Sequence, residues 1–474
     1  MTFRSPWALA LVAALAGCAA TGVPAPNGAS PDMRVAAAWQ APLPMTTAPA
    51  RLDGWWAAFQ DPALLALIET AQAASPTLAS AAARIELARA ASVAAGAGLL
   101  PRVDAAVGVS RGRSDLAAPV ATLGTAGVQA AWEIDLFGAG RAARDAAQSR
   151  LAGSGLALAA ARLALAAETG TLYTALRACE AQVQQAEIDA ASRQETARVT
   201  EDGARVGFIA PATADLARAS AAQARSQLTV QRAACDTQIK TLVALTALDE
   251  PALRERLQAG RARVPQAAAI APQMLPAELL TRRADLQEAA RQVEAAAADE
   301  RAAQANRLPR VSLSGSIGAA AVRSGGVSLD GTTWSLGPLQ ISVPLFDAGT
   351  RAAQAQAARA VYDEAVAAHR GRVREAVREV ETALVALQAT ADREADARLA
   401  TEGFAASFRA TEARFKGGLA SVFELEDARR TAVAAQSALI DLQRERTTAW
   451  INLYRALGGG PDGANPALPA AAAR

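Results

Sequence analysis

The chain has 474 residues, with 48 Lys and Arg against 46 Asp and Glu, so its net charge is only +2. Both signs are interspersed, which is typical of solvated helix faces and argues against a nucleic-acid-binding surface. Aromatic residues are only 4% of the sequence. Alanine dominates the apolar fraction, so the composition favours close-packed long helices over one large globular core.

The N terminus carries the pattern of a secretion signal. Arg4 supplies a positive charge, and the apolar segment 7–17 is too short to span a bilayer. Leu-Ala-Gly directly precedes Cys18, as in the bacterial lipoprotein box, where the cysteine thiol is acylated. We therefore expect a signal peptide over 1–17, a lipid on Cys18 and a Pro/Ala/Gly/Thr-rich tether over 18–50. The alternative is an ordinary signal peptide with a cysteine nearby.

The two ends also indicate a destination. The residue after Cys18 is alanine rather than the aspartate of an inner-membrane retention signal, which favours the outer membrane. Three glycines and a proline after residue 457 predict the end of the last helix and a disordered tail over 458–474. No run of 18 apolar residues lies between the ends, so we expect no transmembrane helix; any membrane-crossing segment must be β-structure.

The chain contains a tandem duplication, marked by three landmarks that recur at a nearly constant offset. The landmarks and their second copies are 100–102 and 308–310, 136–140 and 345–349, and Gly207 and Gly418. This regularity indicates that a whole unit was duplicated. A duplicated elongated unit is typical of a component that is arrayed around an axis.

Each copy has the same predicted order: a helix, a hairpin of two strands, a very long alanine-rich helix, a glycine-marked turn and a returning helix. In the first copy these elements are 76–99, 102–110 with 128–137, 141–206 and 212–248. In the second copy they are 277–308, 311–317 with 334–343, 352–416 and 420–457. The Gly/Ser/Thr/Asp-rich segments 111–125 and 321–333 are predicted to be surface loops. Each long helix would reach about 100 Å, which predicts a coiled-coil spacer.

The alternating strands have the length that crosses a bilayer when tilted. Four strands in one chain cannot close a barrel, and an open sheet edge is not tolerated in lipid. The chain must therefore form oligomers. Four aromatic residues near the strand ends are candidate interfacial side chains: Trp132, Phe137, Trp334 and Phe346.

Two cysteines flank the turn at Gly207. Cys179 lies 28 residues before this glycine and Cys235 lies 28 residues after it. In an antiparallel helical hairpin the two positions lie at the same height, which fits a disulfide in an oxidising compartment. Equal height does not fix the direction of either side chain, so two buried free thiols are the alternative.

Several segments together closely resemble the outer-membrane factor family of tripartite efflux pumps, the TolC-type channels, and specifically their lipoprotein branch. These segments are Trp-Trp-Ala-Ala-Phe-Gln-Asp-Pro at 55–62, Leu-Pro-Arg at 100–102, Trp-Glu-Ile-Asp-Leu-Phe-Gly at 132–138, Val-Pro-Leu-Phe-Asp-Ala-Gly at 343–349 and Leu-Tyr-Arg-Ala-Leu-Gly-Gly-Gly at 453–460. The resemblance covers essentially the whole mature chain. It implies a first efflux repeat over 51–250, a linker or equatorial segment over 251–276 and a second efflux repeat over 277–457.

The resemblance implies a mainly α-helical fold with a small β-barrel. Three copies would form a 12-stranded outer-membrane β-barrel continued by a 12-helix periplasmic α-barrel. Such a homotrimer passively conducts small amphipathic toxic compounds, while a periplasmic adaptor protein docks on the helical tips and an inner-membrane resistance-nodulation-division transporter supplies energy. Outer-membrane lipid is a further expected partner. Apart from the lipid on Cys18, the resemblance implies no cofactor and no metal.

The resemblance also implies a gate at the tip of the second copy, where a Leu and an Asp of the family line the closed aperture. Carried over by position, the constriction residues are Phe423 and Asp427, and the ionic-latch residues are Arg430 and Lys416. Phe415 replaces a usual Tyr, so any latch that uses a Tyr hydroxyl is lost. Three copies of Asp427 would form a cation-attracting acidic ring; the alternative for these charges is a solvated helix face.

The tips themselves are candidate docking surfaces. Gly207 and Gly418 supply the backbone freedom that a tight reversal between helices requires. Phe208 and Ile209 in the first copy and Leu419 in the second are candidate adaptor contacts, because exposed apolar side chains at a tip are typical of docking sites. The alternative is that they cap the coiled coil against its neighbour.

Other classes of protein explain the sequence less well. His369 is the only histidine and is expected to face solvent within a long helix, and no metal-ligand spacing, nucleophile elbow or phosphate loop occurs. We therefore do not expect an enzyme. A structural coiled-coil lipoprotein explains the long helices and the lipid but not the matched hairpins. Among channels, the exit duct of a type I protein secretion system is the main alternative to drug efflux.

Overall fold

The computed structural model describes residues 38–42, 55–113, 119–267 and 282–459. The predicted signal peptide, Cys18 and most of the tether and tail lie outside the described residues. The chain divides into two compact units. The first holds Ala83–Gly155 and Glu288–Arg372, and the second holds Val35–Ala82, Leu156–Gln287 and Val373–Arg474.

The described elements follow one order twice. In the first copy they are α1 (Pro62–Ala74), α2 (Pro76–Ala97), β1 (Arg102–Gly112), β2 (Ala121–Ile134), α3 (Ala139–Arg205) and α4 (Pro211–Thr246). The short α5 (Glu250–Arg256) follows. In the second copy they are α6 (Ala284–Ala305), β3 (Arg310–Ser324), β4 (Val327–Ser342), α7 (Thr350–Lys416) and α8 (Val422–Ala456). The long helices α3 and α7 have 67 residues each.

The predicted order and types of elements are confirmed, but the predicted loops are wrong. The strands run through most of 111–125 and 321–333, and only 113–120 and 325–326 connect them. Gly, Ser and Thr favour turns when they are considered locally. In an antiparallel ladder, however, neighbouring strands satisfy the backbone groups of these residues, so tertiary pairing overrides local preference.

The four strands form one antiparallel sheet in the order β1-β2-β3-β4, so the two hairpins pair through β2 and β3. The register places alternate residues of all four strands on a common face. A typical row across one face is Ala105, Val128, Ile317 and Trp334. A typical row across the other is Asp104, Gln129, Ser316 and Ser335. One apolar and one polar face is the pattern of a membrane-spanning sheet with lipid on one side and water on the other.

A carboxylate caps each long helix where it leaves the sheet. Asp135 accepts hydrogen bonds from the backbone N–H groups of Gly140 (3.0 Å) and Arg141 (2.9 Å). Asp347 accepts equivalent bonds at the start of α7. The two carboxylates come from different positions of the duplicated Leu-Phe motif, yet both satisfy N–H groups that a helix start leaves unpaired. Each copy therefore meets the same capping requirement with its own aspartate.

The few large aromatic side chains of the second unit are concentrated in its core. Trp55 is only 1% exposed. Its ring stacks on Tyr454 at 5.2 Å and meets Trp450 edge-on at 5.9 Å. Trp56 also meets Tyr454 edge-on, at 5.3 Å. The segment beginning at Trp55 therefore packs against the end of α8, where aromatic rings contribute large contact areas.

Gly170 of α3 lies against this aromatic core. A Cβ at this position would lie 2.7 Å from the Trp56 ring, whereas a Cβ at Gly155 of the same helix would meet nothing within 4 Å. We expect Gly170→Ala to destabilise the fold by about 1–3 kcal/mol because it overpacks the core. Gly155→Ala should instead stabilise it by up to about 1 kcal/mol through helix propensity. Thermal unfolding of both variants checks this, and equal shifts would contradict it.

A buried arginine fastens the linker to α3. Arg177 has no exposed side-chain surface, and it donates to the carbonyl oxygens of Leu257 (2.8 Å) and Ala259 (2.6 Å). Burial alone would lower the pKa of Arg177, but hydrogen bonding and charge from Glu180 outweigh it, and the pKa is raised. The residues directly after α5 are therefore held against α3.

The solvent-facing position expected for His369 is wrong, since this side chain is only 8% exposed. His369 falls on the same side of α7 as the buried residues Val373, Ala376 and Val380, at helical spacing. Burial, with a contribution from the charge of Arg372, lowers its pKa. Burial therefore favours the neutral form of the imidazole.

One described helix, α3, contains an 18-residue window that could cross a membrane by length and composition alone, with a mean hydropathy of 1.3. The sequence contains no uninterrupted apolar run of that length. An alanine-rich stretch with few charges nevertheless reaches a mean hydropathy that is high enough for a membrane span. A third of the window is buried. A single helix of this kind is weak evidence for a membrane span.

Candidate functional site

The two helical hairpins of the second unit reverse direction at Gly207 and Gly418, as predicted. Their φ angles are +82° and +75°, in the left-handed region that favours glycine. The Phe208 N–H bonds the Gly203 carbonyl (2.9 Å), and the Leu419 N–H bonds the Arg414 carbonyl in the same way (2.8 Å). Both turns therefore end a long helix by satisfying its last carbonyl groups.

The most exposed apolar side chain of the first tip is that of Phe208. Phe208 is 89% exposed. Ile209 is half-buried and packs onto Gly203, where a Cβ would lie 2.7 Å from the Ile209 Cδ1 atom. Of the two residues predicted as contacts in this copy, Phe208 therefore projects and Ile209 supports the turn.

The second tip is fastened by polar contacts. Ser421 and Glu424 form a reciprocal capping box at the start of α8, and these bonds lower the pKa of Glu424. Arg414 donates to the Leu419 carbonyl (3.0 Å). The Leu419 side chain is 74% exposed. The first tip has no side-chain cap on α4, so the two turns differ in how firmly they are held.

The structure does not join the predicted latch residues to another helix. Arg430 pairs with Asp427 on α8 itself, with side chains 77% and 54% exposed. Lys416 pairs with Glu412 on α7 at 3.4 Å. Phe423 is 73% exposed. Within one protomer these exposed side chains therefore form no described ion pair between the hairpins.

Phe415 has a different environment. It packs, half-buried, against a small apolar cluster between the two hairpins, formed by Ala197, Ala217, Ala221 and Val422. The phenyl ring therefore contributes to the packing of the hairpins, and small side chains let the helices approach closely at this level.

A polar network that the sequence did not predict connects the two copies. Glu426 of α8 accepts hydrogen bonds from Arg193 of α3, Ser220 of α4 (2.8 Å) and Arg429 of α8. Arg193 also binds Asp189 through Nε and Ser220 through Nη1. The side chains of Arg193 and Glu426 are 17% and 16% exposed. Shielded from solvent, such a network is stronger than a surface ion pair.

Arg429 is the most buried member of this network, at 2% exposure. It donates to the hydroxyls of Thr196 (2.9 Å) and Ser192 (3.1 Å) on α3, and its guanidinium lies 5.4 Å from the centre of the Phe408 ring on α7. Burial lowers the pKa of Arg429 despite the charge of Glu426. We call Arg193, Ser220, Glu426 and Arg429 the inter-copy network.

A helical pattern could have identified this network. Val422, Leu425 and Arg429 recur at the spacing of one helix face, and all three are buried. Arg430 is one position further, about 100° around the helix, and is therefore exposed. The resemblance points to the exposed acid and base at 427 and 430, whereas the neighbouring pair at 426 and 429 contacts the first copy.

The two cysteines of the second unit are joined in the structure. Cys179 of α3 and Cys235 of α4 form a disulfide, with Cα atoms 5.7 Å apart. The bond lies beside the aromatic core, where both cysteines are among the buried residues. It links the long helix of the first copy to its returning helix well away from the tip.

Comparisons with known proteins agree with this architecture. The family model described as "Outer membrane efflux protein" matches residues 67–248 and 275–459. The toluene efflux pump outer membrane protein TtgC of Pseudomonas putida is 28% identical over 451 residues, covering 92% of both chains. The pyoverdine export outer membrane protein OpmQ of Pseudomonas putida is 31% identical over 445 residues, covering 91% of this chain and 93% of its own.

Solved structures give the same fold. A membrane protein from Pseudomonas aeruginosa superposes with a TM-score of 0.80 at 26% identity, covering 92% of this chain and 99% of its own. The outer membrane protein VceC of Vibrio cholerae superposes with a TM-score of 0.74 at 26% identity, covering 87% of this chain and 100% of its own. The duplicated hairpins, the two-faced sheet and these matches together show that the chain belongs to the outer membrane efflux protein family and is an outer-membrane efflux channel.

Proposed function

We propose that three copies of this channel form the exit duct of a tripartite pump, with a gate at the helical tips. One observation supports the oligomer above all: the sheet has an apolar face, a polar face and only four strands. An open edge in lipid leaves backbone groups unpaired at a cost of several kcal/mol each. Pairing β1 of one copy with β4 of the next would remove this cost, and three copies would close 12 strands.

The gate would use two layers of contacts. Phe423 and Asp427 are exposed within their own protomer, as expected for residues that line an aperture on the trimer axis. Arg430 and Lys416 would then hold neighbouring protomers together across this aperture. The inter-copy network would hold the two hairpins of one protomer in the closed arrangement. Opening would require both layers to give way.

The adaptor would dock on the exposed side chains of the tips. Phe208 supports this best, since it is 89% exposed and aromatic anchors carry a large share of interface energy. Leu419 would add a second contact, and Gly207 and Gly418 would set the direction of both. The lipid on Cys18 would anchor the N terminus in the outer membrane, and the transporter would be of the resistance-nodulation-division class.

The cargo would be small amphipathic compounds. Relatives of this chain are named for the efflux of toluene and the export of pyoverdine, which favours small molecules over the proteins of a type I secretion system. The channel would conduct these compounds passively. Selectivity among them would lie mainly in the pump that feeds the channel.

Planar-bilayer recording of the purified, lipidated protein tests the proposal. We expect a small, mostly closed and cation-selective pore, because the proposed Asp427 ring attracts cations at the narrowest point. Asp427→Asn should reduce the cation preference without abolishing conductance. A trimer that conducts nothing under any condition would contradict the channel, and unchanged selectivity in the variant would contradict the ring.

Phe208→Ala should weaken binding of the periplasmic adaptor at least tenfold, because it removes the aromatic anchor of the first tip. Binding of the purified trimer to the adaptor by surface plasmon resonance measures this. Val230→Ala, an exposed apolar position on α4 away from the tip, is the matched control and should bind as wild type does. Equal affinities for wild type and Phe208→Ala would show that the first tip is not the anchor.

A further inference from the structure

Two arginines lie on the apolar face of the sheet, at the end nearest the strand connections. The register places Arg111 of β1, Thr122 of β2 and Arg323 of β3 in one row, and Ser328 of β4 completes it. This row belongs to the face that carries Val128, Ile317 and Trp334 further down the sheet. Both guanidinium groups are therefore on the side that faces lipid, not on the polar side.

The row of Arg111, Thr122 and Arg323 lies at the boundary of the apolar band that is farthest from the helices. The band runs on β3 from Val311, which pairs with Ile134, to Ala321, which pairs with Gly124. At about 3.3 Å per residue this is about 33 Å along the strand, or about 25 Å along the membrane normal at a tilt near 40°. Arg323 follows two residues later. The helices leave the sheet at the opposite end, so the arginines lie at the outer-leaflet surface.

Neither arginine has an ion-pair partner among the described residues. Both are exposed. Asp330 of β4, one row lower on the same face, makes no described ion pair with Arg323 either. Arg111 and Arg323 lie two strands apart, about 10 Å, with the Thr122 hydroxyl between them. A guanidinium at a lipid surface is stabilised by an anion, and its planar fork matches phosphate oxygens.

We propose that Arg111, Thr122 and Arg323 form a binding site for the phosphate-bearing head group of an outer-leaflet glycolipid. The site goes beyond conduction and gating, and it rests on the proposed function only in requiring that this face of the sheet meets lipid. A trimer would carry three such sites around its circumference. They would fix the height and orientation of the channel in the membrane.

The experiment uses the full-length trimer in phosphatidylcholine nanodiscs. Diphosphorylated lipid A and its dephosphorylated analogue are added, and native mass spectrometry counts the retained lipids. We expect at least a tenfold preference for the diphosphorylated lipid in wild type and loss of that preference in Arg111→Gln/Arg323→Gln. The control Arg261→Gln/Arg263→Gln, which makes the same charge change at two exposed arginines outside the sheet, should keep the preference.

Two outcomes would overturn the proposal. The first is a double variant that retains the diphosphorylated lipid as wild type does, or a wild type without any preference. The second is displacement of lipid A from wild type by millimolar inorganic phosphate, which would indicate a site for free anions. Planar-bilayer conductance of the same protein preparations separates a failure of the lipid site from a failure of the proposed function. A channel that conducts normally but shows no preference for diphosphorylated lipid A would contradict only the lipid site.

Discussion

Replacing Glu426 with leucine is expected to open the channel at rest. The change leaves the buried Arg429 without its carboxylate partner, while Arg193 keeps only the carboxylate of Asp189. Breaking a buried ion pair on one side typically costs about 3–5 kcal/mol, since an uncompensated charge remains. The penalty falls on the closed arrangement, in which α8 contacts the first copy. A bias of about 3 kcal/mol would change the ratio of closed to open channels about a hundredfold.

Single-channel recording in planar bilayers measures this effect. The matched control is Glu445→Leu, which removes an ion pair between α7 and α8 whose side chains are 59% and 44% exposed, and which should leave the open probability unchanged. Asp427→Ala/Arg430→Ala separates the two layers of the gate, because it removes the exposed pair proposed to act between protomers and leaves the inter-copy network intact. An open probability for Glu426→Leu equal to that of the control would show that the inter-copy network has no part in gating.

Removing the disulfide should destabilise the channel substantially. Cys179 and Cys235 are 56 residues apart in sequence. Closing a loop of that length restricts the unfolded chain by about 4 kcal/mol in the chain-entropy model. Cys179→Ser/Cys235→Ser should therefore unfold at lower denaturant concentration than wild type, and reduced wild type should match the double variant.

Denaturant unfolding with and without reductant measures this shift. In the second copy, the positions at the same distances from Gly418 are Thr390 and Arg446, so only the first hairpin has a covalent link at this height. A reductant effect that persists in the double variant would point to a cause other than this bond. Thiol labelling of native wild type at both cysteines would establish the alternative of free thiols.

Composition predicted the long helices well, because each is a stretch of 67 residues without proline and rich in helix-forming residues. The tips were found because a left-handed backbone angle restricts Gly207 and Gly418 largely to one residue type. The strand ends were misplaced because glycine and serine carry no strand preference of their own. Only pairing with neighbouring strands makes those residues part of the sheet.

At the gate, too, sequence predicted some features and missed others. Resemblance selected Asp427 and Arg430, which the structure places on an exposed face of α8. The inter-copy network lies one residue away, and sequence alone did not distinguish the two, because adjacent acids and adjacent bases have nearly identical local patterns. A rotation of about 100° per residue decides which of them is buried.

Sequence patterns were enough to predict the duplication, the types and order of the elements, the turns at the tips and the family. These features follow from repeated motifs, from local composition and from residue types with strict backbone requirements. The tertiary structure was needed to show which charges are buried and how the two hairpins pair into one sheet. It was also needed to show that Phe208 is exposed while Ile209 is half-buried, and that Arg111 and Arg323 share a row on the apolar face. The physical reason is that burial and register depend on partners distant in sequence, and no local pattern contains them.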